Sequence, residues 1–226
     1  MTFTDRSDAG RQLAAKLAHL KDANAVVLAL PRGGVPVGFE IARTLAAPLD
    51  LLLVRKIGVP WQPELALGAV ADGKQPQSFI DREMAARLGV SDDYIAAETA
   101  RQLEELERRR RVYCADRPPL EIAGRTAIVV DDGIATGATM RVALAAARRR
   151  SPARLVLAAP VAAADTVARL RPLADEIVCV AVPEGLGAIG YYYDDFHQVE
   201  DAEVTGLLAR AAIFGRPAPG SPGSSA

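Results

Sequence analysis

Residues 127–140 restrict this chain more than any other stretch. Four apolar residues, 127–130, run directly into two adjacent carboxylates, Asp131 and Asp132. A short loop of small and hydroxylated residues follows (Gly133, Ala135, Thr136, Gly137, Thr139), and then a helix-forming run begins at Met140. A continuous apolar run is the mark of a buried parallel strand, and the crevice of such a sheet opens at the carboxyl ends of its strands. A Gly/Thr loop opening a helix aims free N–H groups and hydroxyls at an anion. Carboxylate oxygens beside it accept hydrogen bonds from a polyol. Together these features imply a site for a phosphorylated sugar at the edge of a parallel sheet.

The stretch resembles the phosphoribosyl-pyrophosphate (PRPP) loop of the type I phosphoribosyltransferases. That pattern runs hydrophobic strand, two acids, two aliphatics, a small residue, Thr, Gly, any residue, Thr. Gly133 departs from it, since an aliphatic residue is usual there. The resemblance implies that Asp131 and Asp132 hold the ribose 2′- and 3′-hydroxyls. It also implies that Ala135, Thr136, Gly137, Ala138 and Thr139 wrap the 5′-phosphate, with Gly133 in the same loop.

Two further segments fit this frame. An apolar run at 25–30 ends in Pro31-Arg32-Gly33-Gly34. Two glycines let backbone approach an anion, and Arg adds a forked donor, although a plain glycine turn with a solvated Arg has the same residues. By position, the resemblance gives Arg32, Gly33 and Gly34 the pyrophosphate of PRPP. The next strand, 49–54, runs into Arg55-Lys56-Ile57-Gly58-Val59-Pro60, which is similar to the basic run of adenine phosphoribosyltransferases beside pyrophosphate. A solvated basic pair at a loop start is the alternative. Residues 57–80, with Trp61 and a strand-like 65–70, occupy the place of the family's mobile loop, which closes over the site. Trp61 belongs either to that lid or to packing.

The remaining pattern alternates strands and helices. Helices are expected at 8–20 (with Asp8 as cap), 35–45, 81–89, 92–115, 137–150, 163–170 and 200–214, and strands at 155–161 and 176–182. That order predicts an α/β fold, a parallel sheet with helices on both faces and right-handed crossovers. A chain of 226 residues, half of them hydrophobic, suffices for one domain and is short for two. The expected layout is one domain over 1–214, with a core at 25–182, a helical insertion at 81–117 and a small hood at 183–200. Residues 215–226 are rich in Gly, Pro and Ser and read as disordered.

Several function classes fall away. A net charge of −1 gives no general pull on nucleic acid. The Arg run at 108–111 sits among Glu104, Glu105 and Glu107, each four residues before an Arg, and reads as a solvated helix face. No apolar stretch is long enough to span a membrane, and residues 1–8 lack the apolar core of a signal peptide. Cys114 and Cys179 lie far apart and read as reduced thiols of a cytoplasmic protein. His19 and His197 are isolated and read as surface residues. The run 185–190 matches GxGxxG after a strand, but no helix follows it, so a dinucleotide site is excluded by context.

That segment resembles instead the base-binding hood of purine phosphoribosyltransferases. The resemblance places Ala188, Ile189 and Asp194 at an acceptor pocket. Leu186 and Gly187 stand where a stacking aromatic is usual, so a purine acceptor does not follow. Tyr191, Tyr192 and Tyr193 read as a partly buried strand or as pocket lining. Hypoxanthine-type enzymes have an Asp at the position of Ala135, and no side chain here can be named as general base.

The resemblance spans residues 25–200 and implies transfer of the phosphoribosyl group of PRPP to a nitrogenous base or related acceptor. Mg²⁺ would be held chiefly by substrate and water, with Asp131 and Asp132 in support. Arg55 and Lys56 would join the acids in catalysis. Dimers are common among such enzymes, so a homodimer is one assembly to expect. Two rivals share the site: a module that senses PRPP or a nucleotide without transfer, and a nucleoside-phosphate hydrolase or phosphorylase.

Overall fold

A computed structural model describes residues 2–72, 77–115 and 117–214. The expected tail at 215–226 lies outside them, as do residues 73–76 of the expected lid.

Five strands form the parallel sheet: β1 (Ala25–Ala29), β2 (Leu49–Leu51), β6 (Thr126–Val130), β7 (Arg154–Val161) and β8 (Glu176–Ala181), in the order β2-β1-β6-β7-β8. Neighbouring side chains of a strand point to opposite faces, and this splits the core into two layers. Val27, Ala29, Ile128 and Val130 pack with helices α1 (Arg6–Lys16), α2 (Gly34–Leu45) and α7 (Asp201–Ala211). Val26, Leu28, Ala127 and Val129 pack with α5 (Ala138–Arg149) and α6 (Ala164–Leu170). The sheet therefore carries helices on both faces, as the alternation of apolar runs predicts.

Differences lie where long-range contacts override local pattern. Asp5, not Asp8, caps α1, its Oδ1 accepting the Asp8 N–H at 2.6 Å. The expected strand 49–54 breaks after Leu51. Leu53 instead exchanges bonds with Asp72, its N–H donating to Asp72 Oδ1 and its carbonyl accepting the Asp72 N–H, both at 2.9 Å. Val54 then opens a second, antiparallel sheet of β3 (Val54–Val59), β4 (Gln62–Ala71) and β5 (Gln77–Ile80). The stretch expected as a mobile loop is thus largely this three-stranded meander. β8 is an edge strand and only half-buried, and Val182 beyond it is exposed, so the expected last buried strand is neither as long nor as enclosed. Residues 189–192 form a 3₁₀ turn rather than a strand.

Helices α3 (Arg82–Arg87) and α4 (Asp92–Cys114) fill the expected insertion. The basic run on α4 is not wholly solvated. Arg110 is half-buried and bridges two sheets, donating to Asp50 of β2 through Nη2 at 3.1 Å and to Asp72 through Nη1 at 2.8 Å. Asp50 also accepts the N–H groups of Leu51 and Leu120. Such a triad is costly to assemble and more costly to break.

Cys114 and Cys179 are free thiols. Burial pushes the Cys179 thiol up to about 11 and that of Cys114 in the same direction. Since the thiolate is the reactive form, iodoacetamide at pH 8 is expected to modify Cys179 of the native protein roughly a hundredfold more slowly than Cys179 of the urea-unfolded chain. Equal rates would show that the thiol is not held in this way.

Candidate functional site

β6 delivers the acid pair. Enclosed between β1 and β7, it leaves the sheet at Asp131. The chain is caught again at Ile134, whose N–H donates to Val161 O at 2.9 Å and whose carbonyl accepts from Ala163 at 3.1 Å. Gly137 then adopts φ +75°, a left-handed conformation suited to Gly, and caps α5. A Cβ there would lie 2.6 Å from Thr166 Cγ2. The Thr166 hydroxyl donates to Ala135 O at 2.7 Å. The loop is thus held from the α6 side, while Ala135, Thr136 and Thr139 stay exposed.

The Pro31–Gly34 loop presses on the acid pair from β1. A Cβ on Gly33 would lie 2.0 Å from Asp132 Oδ2, and one on Gly34 would lie 2.7 Å from Val130 O. Both positions therefore exclude a side chain. The Pro31–Arg32 peptide bond is cis. Arg32 turns toward α7, with Nη1 3.5 Å from Asp201 Oδ1.

Arg55 and Lys56 reach the region from the second sheet. They line a cavity of about 420 Å³ together with Thr139 and with Tyr94, Glu98, Arg101 and Gln102 of α4. Arg55 Nε donates to Gln102 Oε1, and Gln102 Nε2 donates to Glu98 Oε1 at 2.7 Å. Burial, then repulsion from Arg109, lowers the Arg55 pKa from its ordinary value. A second cavity of about 290 Å³ is lined by Arg32, Arg108, Arg109, Tyr113 and Asp201. Helix α4 walls both, which gives the segment expected as an insertion a place beside these cavities that its sequence did not disclose.

The two acids differ. The Asp132 N–H donates to Asp131 Oδ1 at 2.9 Å. Burial, then the charge of Asp132, pushes the Asp131 carboxyl well above the usual range. Asp132 instead forms an ion pair with Arg6 at 2.7 Å, and its carbonyl accepts the Tyr193 hydroxyl at 2.5 Å. Burial, then Asp132, raises the Tyr193 pKa, so the phenol remains a donor.

The departure at Gly133 has a steric cause. A Cβ there would lie 2.4 Å from Ile189 Cγ2, so Ile189 occupies the space of the usual aliphatic side chain. Of the expected acceptor residues, Ile189 thus lies against the PRPP-like loop. Ala188 and Asp194 are exposed, and the Asp194 N–H donates to Phe3 O at 2.8 Å.

A family model described as the phosphoribosyl transferase domain matches residues 4–194. This chain belongs to that family. Two Mycobacterium tuberculosis proteins (strains CDC 1551 and H37Rv), provisionally named phosphoribosyl transferases, are each 46% identical over 209 residues. The match takes in 92% of this chain and 47% of each relative, so the chain spans about half their length. A crystal structure of a Thermus thermophilus protein is 44% identical, with a TM-score of 0.80, covering 94% of this chain and all of that one. The phosphoribosyl transferase domain begins early enough to take in Arg6.

Arg6 and Gln102 are the site neighbours that sequence reasoning missed, whereas Tyr193, read as strand or pocket lining, meets Asp132 through its hydroxyl. Arg6 left no signal, because the expected helix begins at residue 8, whereas α1 begins at Arg6 itself. Gln102 left none, since a Gln among Arg and Glu on a helix is ordinary. Among the described residues, no helix is long and apolar enough to cross a membrane.

Proposed function

We propose that this phosphoribosyl transferase domain moves the 5-phosphoribosyl group of PRPP to a nitrogenous base or related acceptor. An acceptor nitrogen forms the new bond to C1 of the sugar, the C1–oxygen bond to pyrophosphate breaks, and pyrophosphate leaves with that electron pair. The observation that carries this reading is the meeting of three separate segments: Gly33 abuts Asp132, and Thr139 shares a cavity with Arg55 and Lys56.

Asp131 and Asp132 accept the ribose hydroxyls, while the backbone and hydroxyls of 135–139 at the start of α5 hold the 5′-phosphate. Gly33, Gly34, Arg32, Arg55 and Lys56 take the pyrophosphate, where a fork of N–H donors matches phosphate oxygens. Fixing sugar and leaving group in these separate seats supplies orientation, and the cations meet charge as it develops on the leaving oxygen. Ala188, Ile189 and Asp194 remain the proposed acceptor side. Asp131 and Asp132 would support a Mg²⁺ ion held chiefly by substrate oxygens and water. Among the described residues no group of three or more His, Cys, Asp or Glu forms a protein cage for a metal. When bound, Mg²⁺ would neutralise pyrophosphate charge, with Asp131 and Asp132 in support.

The test is calorimetric titration with PRPP and, separately, pyrophosphate, with and without Mg²⁺. Mg²⁺-dependent PRPP binding supports the reading and opens a screen of acceptors for pyrophosphate release. Binding of neither by the folded protein removes it. In the same assay Arg55→Ala is expected to weaken pyrophosphate binding about tenfold and ribose-5-phosphate binding less than about twofold. An equal loss for both argues against a pyrophosphate seat at Arg55.

A further inference from the structure

Arg6 is a cation at the start of a helix, and its side chain is only 8% exposed. Burying a charge there requires strong partners. It has three, from three directions. Nε donates to Asp132 Oδ2 at 2.7 Å, Nη1 donates to the His197 carbonyl at 2.7 Å, and the guanidinium lies 4.0 Å from the centroid of the Phe196 ring. A forked, planar cation is the one side chain that can do all three together.

The surrounding chain closes the same junction. The Phe3 N–H donates to Tyr192 O at 2.7 Å, and the Asp195 N–H donates to Thr4 O at 2.9 Å. The Phe3 ring packs 5.3 Å from that of Tyr193, whose hydroxyl reaches the Asp132 carbonyl. Residues 3–6, the segment 189–197 and the acid pair are therefore one connected unit, and Arg6 is the charged member at its centre.

We propose that Arg6 is a positioning residue: it locks the Asp132 carboxylate to the 189–197 segment and leaves the other lone pairs of that carboxylate to a sugar hydroxyl. This rests on the phosphoribosyl reading above. A carboxylate has about four acceptor positions, so one bond to Arg6 does not fill it. Two carboxylates side by side repel each other, and Arg6 offsets that repulsion on Asp132. The orientation of one acid is thereby set by a residue 126 positions away in sequence.

The experiment compares ribose-5-phosphate with 2-deoxyribose-5-phosphate by calorimetry in Mg²⁺, in the wild-type chain and in Arg6→Met and Arg6→Lys. The wild type is expected to prefer the ribose compound by about tenfold or more, the effect of one hydrogen bond to a charged group. Arg6→Met shrinks that preference to about twofold or less, because Asp132 is no longer aimed. Arg6→Lys retains roughly threefold to fivefold, since an ammonium can pair with Asp132 but lacks the fork that also reaches His197. A wild-type preference in either folded variant overturns the proposal. So does an equal loss of affinity for both sugars, which is the mark of a merely structural residue. If Arg6→Met fails to give a cooperative melt, Arg6→Lys decides alone. A folded wild type that binds neither sugar phosphate, or binds both equally, removes the ribose reading itself, an outcome distinct from a failure confined to Arg6.

Discussion

Replacing Asp131 and Asp132 together by Asn lowers PRPP affinity by about a hundredfold or more in calorimetric titration. The magnitude follows from two hydrogen bonds to charged acceptors, each worth about 1.5–3 kcal/mol. The fold should survive the change. An amide oxygen at position 132 can still accept from Arg6, and one at position 131 can still accept the N–H of the next residue. A cooperative melt is therefore the control. Removing the charge relieves repulsion within the pair but leaves the buried Arg6 without its counter-charge, so a lower midpoint accompanies the loss of binding. Unchanged PRPP affinity in a folded double variant would remove the ribose assignment.

The second large effect is on stability. Arg110→Met leaves Asp50 and Asp72 buried without their shared cation. Breaking a buried ion group by removing one partner costs about 3–5 kcal/mol, so the urea midpoint should fall accordingly. The pH dependence gives a second reading. Burial already raises the Asp72 pKa, with Arg110 opposing it. A raised carboxyl pKa means that the folded state binds the proton more tightly than the unfolded chain. Stability from that source is present at low pH and is lost as pH rises through the folded value. Without Arg110 the folded pKa climbs further. The deficit of the variant relative to wild type should therefore shrink as pH is lowered from neutrality, and Asp72→Asn in the same background should recover part of it. A deficit independent of pH would point to lost packing by the Arg stem instead.

Local chemistry is legible where the deciding neighbours are close in sequence. The run of four apolar residues into Asp131 and Asp132, the Gly/Thr loop and the helix after it are all one short stretch, and the fold places them as strand, edge and helix. The alternation that predicts a parallel sheet is likewise local. The strand expected at 49–54 ends early because Asp72, about twenty residues later, takes the Leu53 backbone. Family analogy makes a loop of 57–80, although β-favouring residues run through it. The Arg run at 108–111 shows the limit of pairing rules: Glu105 does hold Arg108 and Arg109, yet Arg110 points inward to two acids from other elements. Gly133 is a defect in the motif only when read alone, since Ile189 fills its space from a distant segment.

Helix α4 carries Gln102, Leu106, Arg109, Arg110 and Tyr113 on the side that faces the body of the protein. These positions recur at helical spacing, and they touch Arg55, the core, the cavity beside Arg32, and the buried acids in turn. Each added or deleted residue turns an α-helix by about 100°. A single-residue deletion between positions 102 and 110 would therefore rotate one half of that stripe away from its partners, whichever half stayed seated. The length of this segment is then set by register, much as a key's cuts must match along its whole blade. Related chains that keep both cavities are expected to vary in the loops before and after α4 and to hold the spacing within it constant.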